Sequence, residues 1–156
     1  MLTSKEIVLK TLEFKNPERV PNCLWFLRWA ELHYPKELEK IQKSFVWDFE
    51  GVSPKYKETP ETTGDMFMTG IATDAWGCVF ENRQDGVFGE VKSPLVTDED
   101  WRDVSRVHIP TEWLSFDIGD VNRQCDLKRD KFLSADCCPR PFEQMQFIRG
   151  TENLYM

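Results

Sequence analysis

The chain has 156 residues and a net charge of −7, which is enough length for one domain with a sizeable core. The negative charge argues against nucleic acid or an anionic membrane as a partner, because phosphate binding needs clustered Lys and Arg. No apolar run approaches the roughly 20 residues that cross a bilayer, and the N-terminus lacks the apolar core of a signal peptide. Five cysteines without a framework spacing indicate a reducing compartment, so a cytoplasmic protein of one domain, residues 1–156, is expected.

The first part of the chain predicts helices and buried strands in alternation. Thr3 and Glu6 have the spacing of a capping box and predict a helix that starts there. The almost continuously apolar run of residues 20–27 is typical of a strand that is buried on both faces. A second helix is expected to open at Tyr34-Pro35, since Pro favours the first helical turn. The alternating residues 47–52 predict another strand.

The middle of the chain predicts short strands and turns. Residues 66–91 contain three strand-like runs with Asp85-Gly86 between two of them, which is a hairpin signal. We expect this stretch to lie outside any parallel sheet. A helix that carries Trp101 is predicted to start after the capping residues 97–100, and residues 115–127 predict one more helix.

The end of the chain has the order of a βα unit. Residues 131–135 read as a strand, residues 136–141 as a tight Cys/Pro loop, and the spacing of Phe142, Met145 and Arg149 predicts a helix. Loops of this kind often carry sites in α/β proteins. The expected fold is therefore α/β with mainly parallel strands near residues 20–27, 47–52 and 131–136.

The residue types that carry metal or nucleophilic chemistry show no recognisable pattern. Cys137-Cys138 has no Cys-x-x-Cys partner, and adjacent side chains point in different directions. His33 and His108 are far apart in sequence and fit no metalloprotease or nucleophile motif. We therefore expect no metal bound by this chain alone, and the sequence does not identify a catalytic residue.

Three charged residues stand out as candidates for ligand binding. Asp74 precedes Ala75-Trp76-Gly77-Cys78 and either faces a pocket or simply forms a turn. Arg28 follows the predicted buried strand of residues 20–27, an unusual place for a charge. Arg149 on the last helix is either a ligand-binding cation or the partner of a neighbouring acid.

Three stretches of the sequence resemble the uroporphyrinogen decarboxylase superfamily. They are Asn16-Pro17-Glu18-Arg19-Val20-Pro21, then Asp74-Ala75-Trp76-Gly77-Cys78-Val79-Phe80 leading into Gly89-Glu90-Val91-Lys92-Ser93-Pro94-Leu95, and residues 141–154, which are similar to its methyltransferase-like branches. The resemblance spans nearly the whole chain. It implies the N-terminal part of a (β/α)8 TIM barrel with its site at the C-terminal ends of the strands.

Within the superfamily, the residues that differ favour methyl transfer over decarboxylation. The decarboxylases carry an R-Q-A-G-R-Y motif, of which this chain keeps the first Arg as Arg28 but places Leu32 at the second Arg and Glu31 at the Gly. Met68 stands where the decarboxylases have an Asp. Losing a cation and adding a carboxylate makes a poor site for an octa-anionic substrate.

The resemblance therefore implies a cobalamin-dependent methyltransferase that moves a methyl group between a small molecule and a corrinoid protein. Trp25, Arg28 and Trp76 are expected to line its pocket, with Asp74 and Arg149 as further candidates. The zinc that some branches use is bound by His and Cys of the C-terminal half.

Two alternatives remain open at this point. One is a uroporphyrinogen decarboxylase of porphyrin biosynthesis that has kept Arg28. The other is a truncated, non-catalytic chain that only binds or assembles. The 156-residue chain alone is expected to be inactive, because the catalytic residues should lie in the other half of the barrel. An open sheet edge would favour pairing with a second copy of the chain or with a C-terminal half-barrel.

Overall fold

The computed structural model describes residues 2–99, 101–135 and 140–156 and contains both helices and strands. Two compact units are formed, one by Met1–Phe26, His33–Lys57 and Phe116–Cys138, the other by Leu27–Leu32, Glu58–Ser115 and Pro139–Met156. The helices are α1 Ser4–Leu12, α2 Arg28–His33, α3 Pro35–Ser44, α4 Ile118–Leu127, α5 Pro141–Arg149 and α6 Thr151–Tyr155, with a 3-10 helix at Thr111–Leu114. The strands are β1 Phe49–Val52, β2 Gly70–Thr73, β3 Val79–Asn82, β4 Glu90–Val91 and β5 Phe132–Ala135.

The first unit is built on a parallel pair of strands. β1 and β5 pair in parallel with Phe49 opposite Phe132 and Val52 opposite Ala135, which confirms the predicted parallel strands at these two places. α1 packs on β5 and α4 packs on β1. Parallel strands with helical neighbours are what a (β/α)8 barrel uses, and the assignment to such a barrel stays a prediction.

Helix α1 begins at the predicted capping box. The Thr3 hydroxyl accepts from the N–H of Glu6 at 3.2 Å, and the Glu6 carboxylate accepts from the N–H of Thr3 at 2.7 Å. These bonds satisfy two of the backbone donors that a helix leaves free at its N-terminus. The helix then buries Ile7 and Val8.

The predicted strand at residues 20–27 is wrong, although the segment does approach β1. The N–H of Asp48 donates to the carbonyl of Asn22 at 3.0 Å, but no ladder continues from it. Pro21 has no N–H to contribute to a ladder. Instead the Asp48 carboxylate accepts from the N–H of Asn22 and pairs with Arg19, so a side chain takes the place of backbone pairing.

The second unit contains an antiparallel sheet in the order β2-β3-β4. Gly70 pairs with Asn82, and Phe80 pairs with Val91, so the predicted hairpin region is confirmed as antiparallel. One face of the sheet contributes to a buried core with α5, made of Cys78, Phe80, Leu95, Val96 and Ile148. The rings of Phe88 and Phe147 pack against Phe80 with centroid separations of 5.1 Å.

Among the described residues 97–99 and 101–104, the helix predicted to carry Trp101 is not formed, whereas the helices predicted near residues 115–127 and 142–149 are present as α4 and α5. Trp101 has a φ of 53°, which an α-helix does not allow. The backbone carbonyl of Asp98 accepts a hydrogen bond from the Arg149 side chain, so this carbonyl is bonded to a residue that is distant in the sequence. Within the described residues, none of the helices combines the length and apolar composition that a bilayer crossing requires.

Candidate functional site

The second unit carries an open pocket of about 450 Å³ beside the end of β2. This volume falls in the range of small-molecule sites. Its walls combine carboxylates, hydroxyls, one imidazole and two small residues: Glu61, Asp74 and Glu112; Thr62, Thr63 and Thr73; His108; and Ala75 and Gly77. We refer to it below as the Asp74 pocket.

The side chain of Asp74 is fixed by the turn that joins β2 to β3. Its Oδ1 accepts hydrogen bonds from the N–H of Trp76 at 3.0 Å and of Cys78 at 2.8 Å. Gly77 has a φ of 87°, and a Cβ there would lie 3.1 Å from a backbone carbonyl of Arg106. The positive φ therefore favours glycine in this turn, and a Cβ would be tight against that carbonyl. The result is a carboxylate in a fixed position, with Asp74 only 8% exposed.

The second oxygen of Asp74 is held by a residue from α5. The Gln144 Nε2 atom donates to Asp74 Oδ2 at 3.2 Å and lies 3.8 Å from the Cys78 sulfur. Burial, followed by the nearby negative charge of Asp74, raises the pKa of the Cys78 thiol to about 12. Cys78 is thus a neutral, buried thiol and not a nucleophile at neutral pH.

On another wall of the pocket, His108 and Glu112, which are four residues apart in sequence, form a pair. The His108 Nε2 atom lies 3.1 Å from each carboxylate oxygen of Glu112. The N–H of His108 donates to the Trp76 carbonyl at 3.1 Å, which ties this wall to the Asp74 turn. A backbone hydrogen bond, and after it the contact with His108, lower the pKa of Glu112, so its carboxylate is ionised at neutral pH.

Of the five residues proposed from the sequence, Asp74 lines this pocket. Trp76 is joined to it through its backbone carbonyl, which accepts a hydrogen bond from the N–H of the lining residue His108. The Trp76 side chain is half-buried and packs against the core of the second unit. Arg28 pairs with Asp65 at 3.4 Å, with both side chains largely exposed. Trp25, in the first unit, is 80% exposed.

Arg149 has a structural role in the described residues. It is 6% exposed, and its guanidinium donates to the backbone carbonyl of Asn153 at 3.0 Å and to that of Asp98. It also lies over the ring of Trp101, 5.4 Å from the centroid, a distance at which cation–π attraction operates. In the described residues these contacts of the guanidinium are to carbonyls and an aromatic ring, and its pairing with a neighbouring acid stays a prediction.

Sequence reasoning missed the other polar residues of the site. His108 and Glu112 are only four residues apart in sequence, and this closeness was the available signal. Gln144 lies inside the stretch of residues 141–154 that carries the resemblance, but nothing in its local sequence indicates a contact with Asp74.

Within residues 2–99, 101–135 and 140–156, no group of three or more His, Cys, Asp or Glu side chains is placed to hold a metal ion. The stretch 136–139, with Cys137-Cys138, lies outside the described residues, and so does the loop predicted there.

Comparison with known proteins adds no assignment. No family model, no curated protein and no solved structure matches this chain.

Proposed function

We propose that this chain is the N-terminal part of a corrinoid-dependent methyltransferase of the uroporphyrinogen decarboxylase superfamily. The Asp74 pocket would hold the methylated small molecule. The proposal is supported by the resemblance of residues 74–80, 89–95 and 141–154, and the first and last of these stretches supply Asp74 and Gln144, which bond to each other. Two separate resemblance stretches therefore meet beside one pocket.

The observation that carries the choice of reaction is the charge of the pocket wall. Three carboxylates line it, and no lysine or arginine does in the described part of the chain. Such a wall repels a substrate with eight carboxylates and suits a neutral or cationic one. Arg28, the cation that a decarboxylase would use, pairs with Asp65. Both facts favour methyl transfer over decarboxylation of a tetrapyrrole.

In this proposal the residues of the chain bind and orient the small molecule. The corrinoid, bound to a partner protein, is the group that gives or takes the methyl. Asp74 is held by three donors before any ligand arrives, so it loses little freedom on binding. The described residues supply no zinc-ligand cluster, and no role for that metal is assigned to them.

The deciding experiment compares the two reactions with the complete protein in which this chain occurs. Methyl transfer is followed as the loss of cob(I)alamin absorbance with a panel of methylated small molecules. Decarboxylation is followed as CO₂ release from uroporphyrinogen. We expect methyl transfer with at least one substrate and no CO₂. Release of CO₂ without methyl transfer would overturn the proposal in favour of a decarboxylase. Activity in neither assay would favour a chain that only binds or assembles.

A further inference from the structure

We propose that the bond between Asp85 and Gly86 is a modification site, at which isoaspartate forms without an enzyme when the turn between β3 and β4 opens. In the folded protein the contacts of these two residues suppress the reaction. The sequence contains this one Asp-Gly pair and no Asn-Gly pair. The inference is independent of the proposed function and is carried by the hydrogen bonds and the packing of the turn.

The reaction joins the side chain of Asp85 to the backbone nitrogen of Gly86. This nitrogen attacks Cγ of Asp85, loses its proton and displaces a carboxyl oxygen, so that water leaves and a cyclic imide forms. Water then adds to the backbone carbonyl carbon of the imide and breaks its bond to nitrogen. The main chain now runs through Cγ, and the α-carboxylate is free. The water that was lost is regained, and no oxidant or reductant takes part. Glycine permits the attack because it has no side chain beside the nitrogen.

The fold holds the attacking nitrogen of Gly86 in another bond. Its N–H donates to the carbonyl of Phe67 at 2.6 Å, and this bond has to break before the nitrogen can lose its proton. Gly86 is buried, and a Cβ at this position would lie 2.4 Å from Cα of Trp29. The carbonyl of Gly86 also accepts from the N–H of Trp29 at 3.0 Å. The backbone of Gly86 is therefore fixed on both sides of its Cα.

The fold also holds the carboxylate that is attacked. Oδ1 of Asp85 accepts hydrogen bonds from the N–H and from the hydroxyl of Thr69, both at 2.6 Å. These bonds restrict the rotation that brings Cγ of Asp85 to the nitrogen of Gly86. Asp85 itself is exposed, so water can reach the imide once it has formed. Protection of the bond therefore comes from the contacts of the fold and not from exclusion of water.

These contacts make the reaction depend on local opening of the turn. Where opening and closing are fast, the rate of a reaction of the open form follows the fraction of molecules that are open. The isoaspartate product has an additional carbon atom in the main chain, which changes the spacing between the groups that bond to Phe67 and Thr69. Isoaspartate at residue 85 is thus a lasting mark of molecules in which this turn has opened.

The test measures isoaspartate at Asp85 in the complete protein in which this chain occurs, incubated at neutral pH in native buffer and in urea. Because isoaspartate and aspartate have the same mass, the product is identified by the backbone fragments that electron-transfer mass spectrometry gives for the peptide containing residue 85. We expect isoaspartate to form at least about tenfold faster in urea than in native buffer, because the bonds of the turn are absent in the unfolded chain.

Two variants with the same chemical change separate the Asp85 contact from a general effect. Thr69→Val removes the hydroxyl donor to Asp85 and keeps the backbone donor. It should raise the rate in native buffer about threefold or more, as the loss of one hydrogen bond predicts. Thr59→Val makes the same change at an exposed threonine and should change the rate less than about twofold. In urea the two variants and the unaltered protein should react equally fast.

Each outcome bears on the inference. Equal rates in native buffer and in urea would overturn it, because the fold would then give no protection. No isoaspartate in urea would also overturn it, since the bond would not be a modification site. A native rate of Thr69→Val no higher than that of Thr59→Val would overturn the protection that we assign to the Asp85 contact. The comparison of native and unfolded unaltered protein holds even where Thr69→Val does not fold.

Discussion

Removing the carboxylate of Asp48 should cost the first unit much of its stability. Asp48 is fully buried, and its two oxygens accept from the two terminal nitrogens of Arg19 at 2.6 Å each and from the N–H of Asn22 at 2.7 Å. Its own backbone N–H and carbonyl bond to Asn22 and to Phe132 of β5. One residue therefore connects the segment after α1 to both strands of the parallel pair.

The size of the effect follows from these contacts. Removing one partner of a buried ion pair costs about 3–5 kcal/mol. Arg19 is about one-third exposed, at 34% of its side chain, so water can reach the guanidinium left behind. We therefore expect Asp48→Ala to lower the free energy of unfolding by the lower end of this range, about 3 kcal/mol. For Asp48→Asn, which keeps the shape and one acceptor but loses the charge, we expect about 2 kcal/mol.

The effect should also depend on pH in a defined direction. The hydrogen bonds and charge of Arg19, with the N–H of Asn22, lower the pKa of Asp48 well below its usual range. The pKa of an unfolded Asp is about 3.9. Because the folded pKa is the lower one, this stabilisation is present above about pH 4 and is lost as the pH falls towards the folded pKa. The difference between the unaltered chain and Asp48→Asn should therefore shrink at pH 3.

The assay is urea unfolding followed by far-UV circular dichroism at pH 7 and pH 3, with a control two residues away. Glu50 pairs with Lys128 at 3.4 Å, and both side chains are substantially exposed. Glu50→Gln should therefore cost less than about 1 kcal/mol. The reasoning is refuted if Asp48→Asn loses no more stability at pH 7 than Glu50→Gln, or if its loss does not shrink at pH 3.

Three further predictions follow from single contacts. Cys78, buried and with a thiol pKa raised to about 12, should react with iodoacetamide only after unfolding, whereas exposed Cys23 should react at once; equal rates by mass spectrometry in the native chain would contradict this. Arg149→Met should lower the unfolding free energy by about 2–3 kcal/mol, since it removes charged hydrogen bonds to two backbone carbonyls; an unchanged free energy in urea titration would contradict this. Arg28→Ala should change stability by less than about 1 kcal/mol, because its pair with Asp65 is solvent-exposed; a larger loss by urea titration would show that this pair stabilises the fold.

Much of the fold is predictable where local sequence decides it. The capping box of Thr3 and Glu6 starts α1, and Pro35 starts α3, because each signal acts within one helical turn. The antiparallel arrangement of residues 66–91 also follows from local turns. The prediction of a strand at residues 20–27 was wrong, because an apolar run indicates burial but does not specify a backbone partner.

The site was harder to predict because its residues meet through tertiary contacts. Asp74 was found from its place before a turn, where the local sequence is informative. His108 and Gln144 were missed because they reach the Asp74 turn from distant parts of the chain. In the sequence Arg149 is a candidate ligand-binding cation. In the structure its guanidinium donates to two backbone carbonyls and lies over the ring of Trp101.

One measurement tests the central claim most directly: the rate of methyl transfer to cob(I)alamin by the complete protein, with and without the charge at Asp74. The proposed function predicts transfer from a methylated small molecule, and an Asp74 anchor in the pocket predicts at least about a tenfold loss in kcat/KM for Asp74→Asn. Glu152→Gln, which removes one charge from an exposed residue of α6, should stay within about twofold. A rate that does not depend on Asp74, or CO₂ release from uroporphyrinogen in place of methyl transfer, would contradict the account.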